Sequence, residues 1–357
     1  MRNVLIISLI LMCSYTAGYS EQGAAAYLDT GIGSRAAAMG SAFVALGGTP
    51  DNIYWNAAGI SRVGSHSVSM MSSMSGESRK LNYISYVFPF TIRPKDDFVG
   101  FGEKKNPVNA GIGIGWISYG VSGLEGRDTY GNPTEDFSDS ENAIMLAYGQ
   151  SLGYKLSLGV NLKYLMHHLT DYASAGGFAA DLGIMYRISD IFTAGLNVQN
   201  MVGSMKWKIK DDVLNEEFEY NEKVLLNMKT GISAEIVKDK LVSVLDIDKT
   251  LEQKIRFHTG LEYMLRQNAA VRFGIDDMKI TSGFGWRRNR MLLDYAFIYE
   301  RFGWDIVHRF SLGLSFGAER EDMDIPAKPV RNQALRNMKK SKKRKKKMPD
   351  INLKGRF

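Results

Sequence analysis

Apolar and polar residues alternate along much of the chain that follows residue 63. In "FSLGLSFG", residues 310–317, apolar side chains take every second position and Ser or Gly the positions between. A similar alternation recurs in "LSLGVNLKYL", residues 156–165, and in "RFHTGLEYML", residues 256–265. A period of two is that of a β-strand with one apolar face, and apolar residues here do not recur at helical spacing. The pattern therefore predicts an all-β protein.

About fourteen segments carry this pattern, each of roughly ten residues, which is the length with which a tilted strand crosses a bilayer. They are approximately 64–74, 80–91, 108–120, 141–150, 154–166, 177–188, 191–200, 225–236, 239–249, 255–266, 269–277, 280–288, 291–301 and 308–317. An even number of strands is typical of single-chain bacterial barrels. We therefore expect a single transmembrane antiparallel β-barrel of about 14 strands over residues 63–318.

The links between the segments fall into two classes, with one exception, the long stretch 92–107 between the second and third segments. If the N-terminus is periplasmic, the later periplasmic links are very short, as at 189–190 and 267–268. The long links 121–140, 167–176 and 201–224 then all lie on the outer side. Short turns at one end and long loops at the other are typical of transmembrane barrels and are not expected of a soluble sandwich.

Charged residues recur on the polar faces of the predicted strands. Because charges facing lipid are costly, we expect them to face the lumen and to pair across strands. The set comprises Lys163, Asp181, Lys229, Asp246, Asp248, Arg256, Glu262, Arg272 and Asp294. A neutralised polar interior is the favoured interpretation, and a transport or catalytic role for one of these residues is the alternative.

The two ends of the chain lie outside the barrel pattern. A basic start, the apolar run "VLIISLILM" and small residues after it predict a secretory signal peptide over 1–20. The only cysteine, Cys13, lies within that signal, so the mature chain is expected to contain no disulfide. Residues 319–357, with the block "KKSKKRKKK", read as a basic, disordered periplasmic tail that can account for the net charge of +7. The alternative for this tail is contact with an anionic partner, and the export signal argues against nucleic acid.

No catalytic, cofactor or metal motif is recognisable, so the sequence predicts a protein that is not an enzyme and has no cofactor. Gly31, Gly33 and Gly40 do not form a phosphate-binding loop, because the required spacing and lysine are missing. His167 and His168 are adjacent on a strand and point to opposite faces, so they are expected to be solvated and not to share a metal.

The segment 21–62, ahead of the first strand, is rich in Gly, Ala and Ser and poor in charge. Small residues allow close approach of backbones, while Tyr54 and Trp55 can wedge against a wall. We therefore expect an N-terminal plug, or hatch, that fills the lumen. A flexible periplasmic leader is the alternative.

The stretch "IGSRAAAMGSAFVALGGTPDNIYWNAAGIS" resembles the N-terminal hallmark of the PorV/PorQ family, which is related to the FadL-type long-chain fatty-acid transporters of the outer membrane. The resemblance covers residues 21 to about 318 and implies a fourteen-stranded barrel with an N-terminal hatch. The positions that match the motif are Arg35, Met39, Gly40, Tyr54, Trp55, Asn56 and Gly59. One departure is Ala57, where the family's triplet has proline, which makes a kink at this point less certain.

The resemblance implies a location in the outer membrane of a Gram-negative-type envelope, in contact with its lipid. It also implies binding of exported or envelope proteins in type IX secretion or cell-surface attachment. The alternatives are a FadL-like channel for hydrophobic compounds such as long-chain fatty acids, and a purely structural protein. Because the long outer loops are charged and aromatic, they favour protein contact over a hydrophobic entry groove.

Overall fold

The computed structural model describes residues 23–74, 79–93, 107–127, 130–133, 136–169, 173–211, 216–299 and 306–320. The predicted signal peptide, and the predicted tail beyond residue 320, lie outside these residues. The strands are β1 (His66–Met74), β2 (Lys80–Ile92), β3 (Val108–Leu124), β4 (Phe137–Leu152), β5 (Leu156–Leu169), β6 (Ala173–Arg187), β7 (Phe192–Gln199), β8 (Ser204–Asp211), β9 (Glu216–Lys223), β10 (Asn227–Val237), β11 (Leu241–Thr250), β12 (Ile255–Arg266), β13 (Ala269–Asp276), β14 (Lys279–Arg288), β15 (Met291–Tyr299) and β16 (Ile306–Phe316).

Fourteen of these strands, β1–β7 and β10–β16, form a closed antiparallel barrel. Each pairs with the next, β7 pairs directly with β10, and β1 pairs with β16 over its whole length, from His66 opposite Phe316 to Met74 opposite His308. The predicted all-β barrel of about 14 strands is thus confirmed. We call the end at which β2, β4 and β6 begin the loop end, and the opposite end the turn end.

The segment 201–224 is not the simple loop that was expected, because it contains the hairpin β8–β9. The first half of β6 pairs with β8, from Ala173 opposite Ile209 to Phe178 opposite Ser204, while its second half pairs with β7. The hairpin therefore continues the wall of the barrel at the loop end. Its sequence "MKWKIK" alternates as a strand does, but exposed lysines occupy the outward positions that apolar residues hold in the barrel strands.

The outward faces of the barrel strands carry exposed apolar side chains, while the residues between them are buried. On β3 and β5 the exposed set comprises Ile112, Ile114, Trp116, Leu158, Val160, Leu162 and Tyr164. A continuous apolar exterior of this extent suits lipid contact and not water. The protein is an outer-membrane-type β-barrel. No helix among the described residues has the length and apolar character needed to cross a membrane.

The helices are short and precede β1. Two are 3₁₀ helices, Ala26–Thr30 and Ala57–Arg62, and two are α-helical turns, Ser34–Ala38 and Asn52–Trp55. The residues between them are mostly buried, apart from the stretch 46–50, which is half-buried or exposed. We call residues 23–63 the lumen segment.

Arg320, which follows β16, holds the turn end together. Its guanidinium donates to the carbonyl oxygens of Phe90 and Ala110 on β2 and β3, at 2.9 Å each, and to those of Ser61 and Val63 in the lumen segment. Arg320, which the sequence places in the tail, therefore connects the C-terminal end of the lumen segment to the barrel wall.

Candidate functional site

The lumen segment contacts strands on opposite sides of the closed barrel and so lies inside it. Arg35 binds Glu262 of β12, the backbone N–H of Ser34 donates to Ser311 of β16, and the Asn56 amide reaches the Ile184 carbonyl of β6. The backbone N–H groups of Phe43 and Val44 both donate to Asp246 of β11, at 2.6 and 2.8 Å. These bonds satisfy backbone groups that a buried irregular segment would otherwise leave unpaired.

The lumen segment runs through the barrel from one end to the other. At the loop end, the Ala24 N–H donates to the Lys223 carbonyl of β9, and Tyr27 stacks on Tyr119 of β3. At the turn end, Ile60 packs against Gly111 near the start of β3, and the chain then enters β1. The interior is therefore occupied over its height.

Glycines on the inner wall make room for the backbone of this segment. A Cβ added at Gly159 of β5 would lie less than 3.0 Å from the Ala57 and Ala58 backbone, and one at Gly274 of β13 would do the same at Met39 and Gly40. The other wall glycines with such close backbone neighbours in the segment are Gly149, Gly195 and Gly260. Wall and segment are thus matched in shape.

Three motif residues hold the lumen segment to the wall. Arg35 makes two bonds to Glu262, at 2.9 and 2.6 Å, and its guanidinium lies 5.6 Å from the Phe43 ring centre. The Asn56 side chain donates to Val44 and accepts from Ala58. Gly40 has φ +65° and approaches the Ile275 and Thr259 carbonyls so closely that a side chain would not fit.

The remaining motif residues pack the segment against itself. Tyr54 donates to the Leu28 carbonyl, and Trp55 donates to the Ile32 carbonyl at 3.0 Å. Met39 is fully buried, and a Cβ at Gly59 would meet the Asn52 side chain. The 3₁₀ helix begins at Ala57, so this turn forms without the proline that the family motif has there.

The nine predicted lumen charges all point inward and each has a polar partner. Lys163 pairs with Asp181 at 2.7 Å. Lys229 and Arg256 both pair with Asp248, at 2.7 and 3.1 Å. Arg272 bridges Glu262 and Asp294, at 2.6 and 2.7 Å. Asp246 accepts hydrogen bonds from two backbone N–H groups of the lumen segment. Such a neutralised interior fits the structural interpretation of these charges.

Other residues of the site were not singled out from the sequence. Arg309 of β16 donates to the Gly31 and Thr30 carbonyls, at 3.0 and 2.9 Å. Gln199 donates to the Tyr54 carbonyl at 2.9 Å, and Ser233 to that of Ala45 at 3.1 Å. The sequence indicates only that these residues face inward on a strand. It does not identify their partners, because backbone carbonyl groups are the same for every residue type.

A cavity of about 360 Å³ lies beside the lumen segment towards the turn end, where β1, β15 and β16 meet. Its lining is mixed and includes the polar side chains of Arg35, Asp51, Ser67 and Ser69. One carboxylate oxygen of Asp51 is buried and has no hydrogen-bond partner among the described residues. Burial raises the pKa of Asp51 to about 6, Asp294 adds to this effect, and Ser69 and Arg35 oppose it.

His167 is not the solvated residue that was expected. Its Nε2 lies 2.7 Å from Asp139 Oδ1, its Nδ1 lies 3.9 Å from Glu141 Oε2, and its ring packs 4.8 Å from that of Trp207. His168 points the other way and is exposed. Asp139, Glu141 and His167 form the one group of potential metal ligands found among the described residues.

No protein-family model and no curated protein sequence matches this chain. Solved structures do match. A structure of the CymD monoaromatic hydrocarbon channel aligns with 81% of this chain and 98% of its own, with a TM-score of 0.56 and 13% identity. The toluene transporter TodX of P. putida aligns with 81% of this chain and 99% of its own, with a TM-score of 0.52 and 10% identity. A FadL homologue of Pseudomonas aeruginosa covers 84% of this chain and 100% of its own, with a TM-score of 0.51 and 8% identity.

At these identities the likeness concerns the fold. It agrees with the relation to FadL-type barrels that the sequence resemblance implied, and it does not extend to the PorV/PorQ family. The chain is thus similar in fold to these three barrels over nearly the whole of their length.

Proposed function

We propose that the protein is a non-enzymatic outer-membrane channel that admits small hydrophobic molecules. The observation that carries this proposal is an apolar groove on the outside of the barrel, lying over a cavity inside it. The shared fold supports the proposal, since CymD is described as a monoaromatic hydrocarbon channel and TodX as a toluene transporter. The composition of the loops favours binding of exported proteins, but the groove and the shared fold favour the channel, which we therefore place first.

The groove has a volume of about 680 Å³ and lies on the outward face of β14, β15, β16 and β1. It is lined mainly by Met70, Phe284, Trp286, Leu293, Tyr295, Phe310 and Leu312. Because these side chains face the bilayer, a hydrophobic molecule dissolved in lipid can reach them without crossing water. The loops could not reveal this groove, since four separate strands build it.

The inner cavity of about 360 Å³ shares two lining residues with the groove, Asp294 and Ser311, which are direct partners in the β15–β16 register. A single sheet therefore separates the two spaces. The inward positions of this sheet are small at Ser67, Ser69 and Gly313. The ladders of β16 with β1 and β15 are continuous, so passage requires neighbouring strands to part. The charged and hydroxyl side chains in the cavity wall would favour release of a hydrophobic molecule towards the turn end.

Uptake of labelled toluene into proteoliposomes tests the proposal. Leu312→Trp fills the groove and Ser69→Leu fills the cavity, so each should slow uptake several-fold. Val160→Trp, which adds the same ring to the outward face of β5 on another part of the wall, is the matched control and should leave uptake unchanged. Equal uptake by wild type, Leu312→Trp and Val160→Trp would contradict the proposed route.

The second candidate function is binding of an exported or envelope protein at the loop end. The hairpin β8–β9 favours it, because no other described strand pairs with the outer edge of β9 and nearly all of the residues of β9 are exposed. Phe218 and Tyr220 on one face are 47% exposed each, beside an edge rich in Glu. Free edges and exposed aromatic residues are features of protein-binding surfaces.

Excision of the hairpin separates the two candidates. The Val224 N–H donates to the Gly203 carbonyl at 3.1 Å, so residues 204–223 can be removed and the flanking ends joined by a short Gly-Ser link. If the protein binds an envelope protein, co-purification of that protein is lost while toluene uptake persists. If it is only a channel, toluene uptake persists in the variant and co-purification does not differ from that of the wild type. If the wild-type protein shows neither toluene uptake nor a co-purifying protein, a purely structural role in the outer membrane is the remaining alternative.

A further inference from the structure

A cluster of side chains at the loop end has no part in the proposed channel. Asp139 and Glu141 lie on β4 and His167 lies on β5, where Glu141 and His167 are direct partners in the register. One ligand atom from each residue lies within 4.8 Å of the others. The side chains are 33%, 13% and 16% exposed, so the cluster is partly shielded yet open to solutes.

The donor set has the composition of a transition-metal site. An imidazole nitrogen with two carboxylate oxygens is the kind of set that holds Zn²⁺ and similar divalent ions, whereas Mg²⁺ and Ca²⁺ prefer oxygen ligands alone. In a tetrahedral zinc site, neighbouring ligand atoms lie about 3.4 Å apart. The ligand atoms lie within 4.8 Å of one another, so the wider separations have to shorten towards this value for the three to enclose an ion.

A second observation at the same place points to a ligand. The Tyr27 hydroxyl of the lumen segment is buried, with the residue 3% exposed, and has no hydrogen-bond partner among the described residues. Its ring stacks on Tyr119 at 6.3 Å, and Tyr119 is the register partner of Glu141. Glu141 therefore lies beside the residue on which Tyr27 stacks. A buried hydroxyl without a partner is costly, and an ion or its bound water beside Glu141 would satisfy it.

We propose that Asp139, Glu141 and His167 bind one divalent transition-metal ion of the Zn²⁺ class at the loop end, with the Tyr27 hydroxyl facing the fourth position. The ion ties the start of the lumen segment to β4 and β5. Trp207 of the hairpin covers the site, because its ring lies 4.8 Å from His167 and its Nε1 donates to Glu222 at 2.7 Å. The adjacent residues His167 and His168 cannot share a metal. The partners of His167 are instead Asp139 and Glu141 on the neighbouring strand β4, which are distant in the sequence.

The test uses the full-length protein in detergent, stripped with a chelator and titrated with Zn²⁺ by calorimetry. We expect one ion per chain, and affinity reduced at least ~10-fold in His167→Ala and in Glu141→Gln, because loss of a ligand weakens a site at least as much as loss of an outer partner does. His168→Ala removes the exposed neighbouring imidazole and should bind as the wild type does. Retained heat-modifiability on gels shows that each variant is folded.

A second measurement reads the site directly. Binding of Co²⁺ should quench Trp207, so the quenching seen in the wild type should be lost in Trp207→Phe while calorimetric binding persists. Tyr27→Phe should weaken binding less than His167→Ala does. The proposal is overturned if wild type binds no Zn²⁺, if His167→Ala and His168→Ala bind alike, or if Mg²⁺ competes equally with Zn²⁺.

Discussion

Single glycines decide how closely the barrel wall approaches its contents. Gly159 and Gly274 lie against the backbone of the lumen segment, where even a methyl group has no space. Packed interiors do not absorb an extra carbon without displacement or strain. The wall glycines are therefore determinants of the closed lumen.

Gly159→Ala should lower the stability of the folded barrel by about 1–3 kcal/mol, because the new Cβ displaces the turn at Ala57 and Ala58. The temperature at which the protein loses its compact band on gels measures this change. Gly176→Ala on the neighbouring β6 is the control, since its Cβ would meet only the Tyr164 hydroxyl at 3.8 Å. Equal midpoints for the two variants would argue against tight packing of the lumen segment.

Asp51 should make stability depend on pH. Its folded-state pKa of about 6 lies above the ordinary value of 3.8, so the neutral form is favoured by folding. The stabilisation is full below about pH 4 and is lost as the pH rises through 6. Asp51→Asn stays neutral, so it should reduce the fall in melting temperature between pH 4 and pH 7, by the equivalent of roughly 2–3 kcal/mol. The exposed Asp277→Asn should retain the wild-type fall, and a fall unchanged in Asp51→Asn would show that Asp51 is not the group responsible.

The side a residue faces could be predicted, whereas its partner could not. Alternation alone assigns Lys163 and Asp181 to the inner face. Their pairing at 2.7 Å depends on the register of β5 with β6 and on its neighbours in space, which the sequence does not specify. The same limit hid the contact of His167 with Asp139, because two strands had to be aligned before it could be recognised.

Strands predicted from alternation agree with the structure within a few residues, and the hairpin β8–β9 is the exception. Its inner face carries Met205, Trp207 and Ile209, and its outer face carries lysines that pair with Glu219. Such a charged outer face suits water and not lipid. The hairpin therefore lacks the outward apolar residues by which membrane-crossing strands are recognised in a sequence.

The hairpin contributes no strand to the ring, because β7 pairs directly with β10. Removal of residues 204–223 should therefore leave a barrel that folds into detergent micelles and stays heat-modifiable. Circular dichroism should show a β-type spectrum of slightly reduced intensity. Failure of this variant to fold would mean that β8 is needed to hold the first half of β6.

At the scale of the molecule, the barrel and its lumen segment form one packed body. The backbone of the segment bonds to inward side chains from several sides, among them Asp246, Asn197 and Ser311. Composition predicted a plug from the small residues, but the route from loop end to turn end depends on contacts between distant parts of the chain.

Removal of residues 23–60 should open the lumen, because that segment occupies its interior. The shortened barrel should still insert into planar bilayers, and it should conduct ions far better than the wild type. Gly159→Ala, which keeps the segment, should conduct less than the deletion. Unchanged conductance after deletion would mean that other parts of the chain close the pore.

The direction of the lumen segment also constrains how the molecule is assembled. The segment immediately precedes β1, and β1 completes the ring by pairing with β16, the last strand among the described residues. A segment that crosses the whole interior, with wall glycines fitted to its backbone, cannot be threaded into a finished ring. The ring must instead close around it, so the lumen segment serves as an internal template for the pairing of β1 with β16.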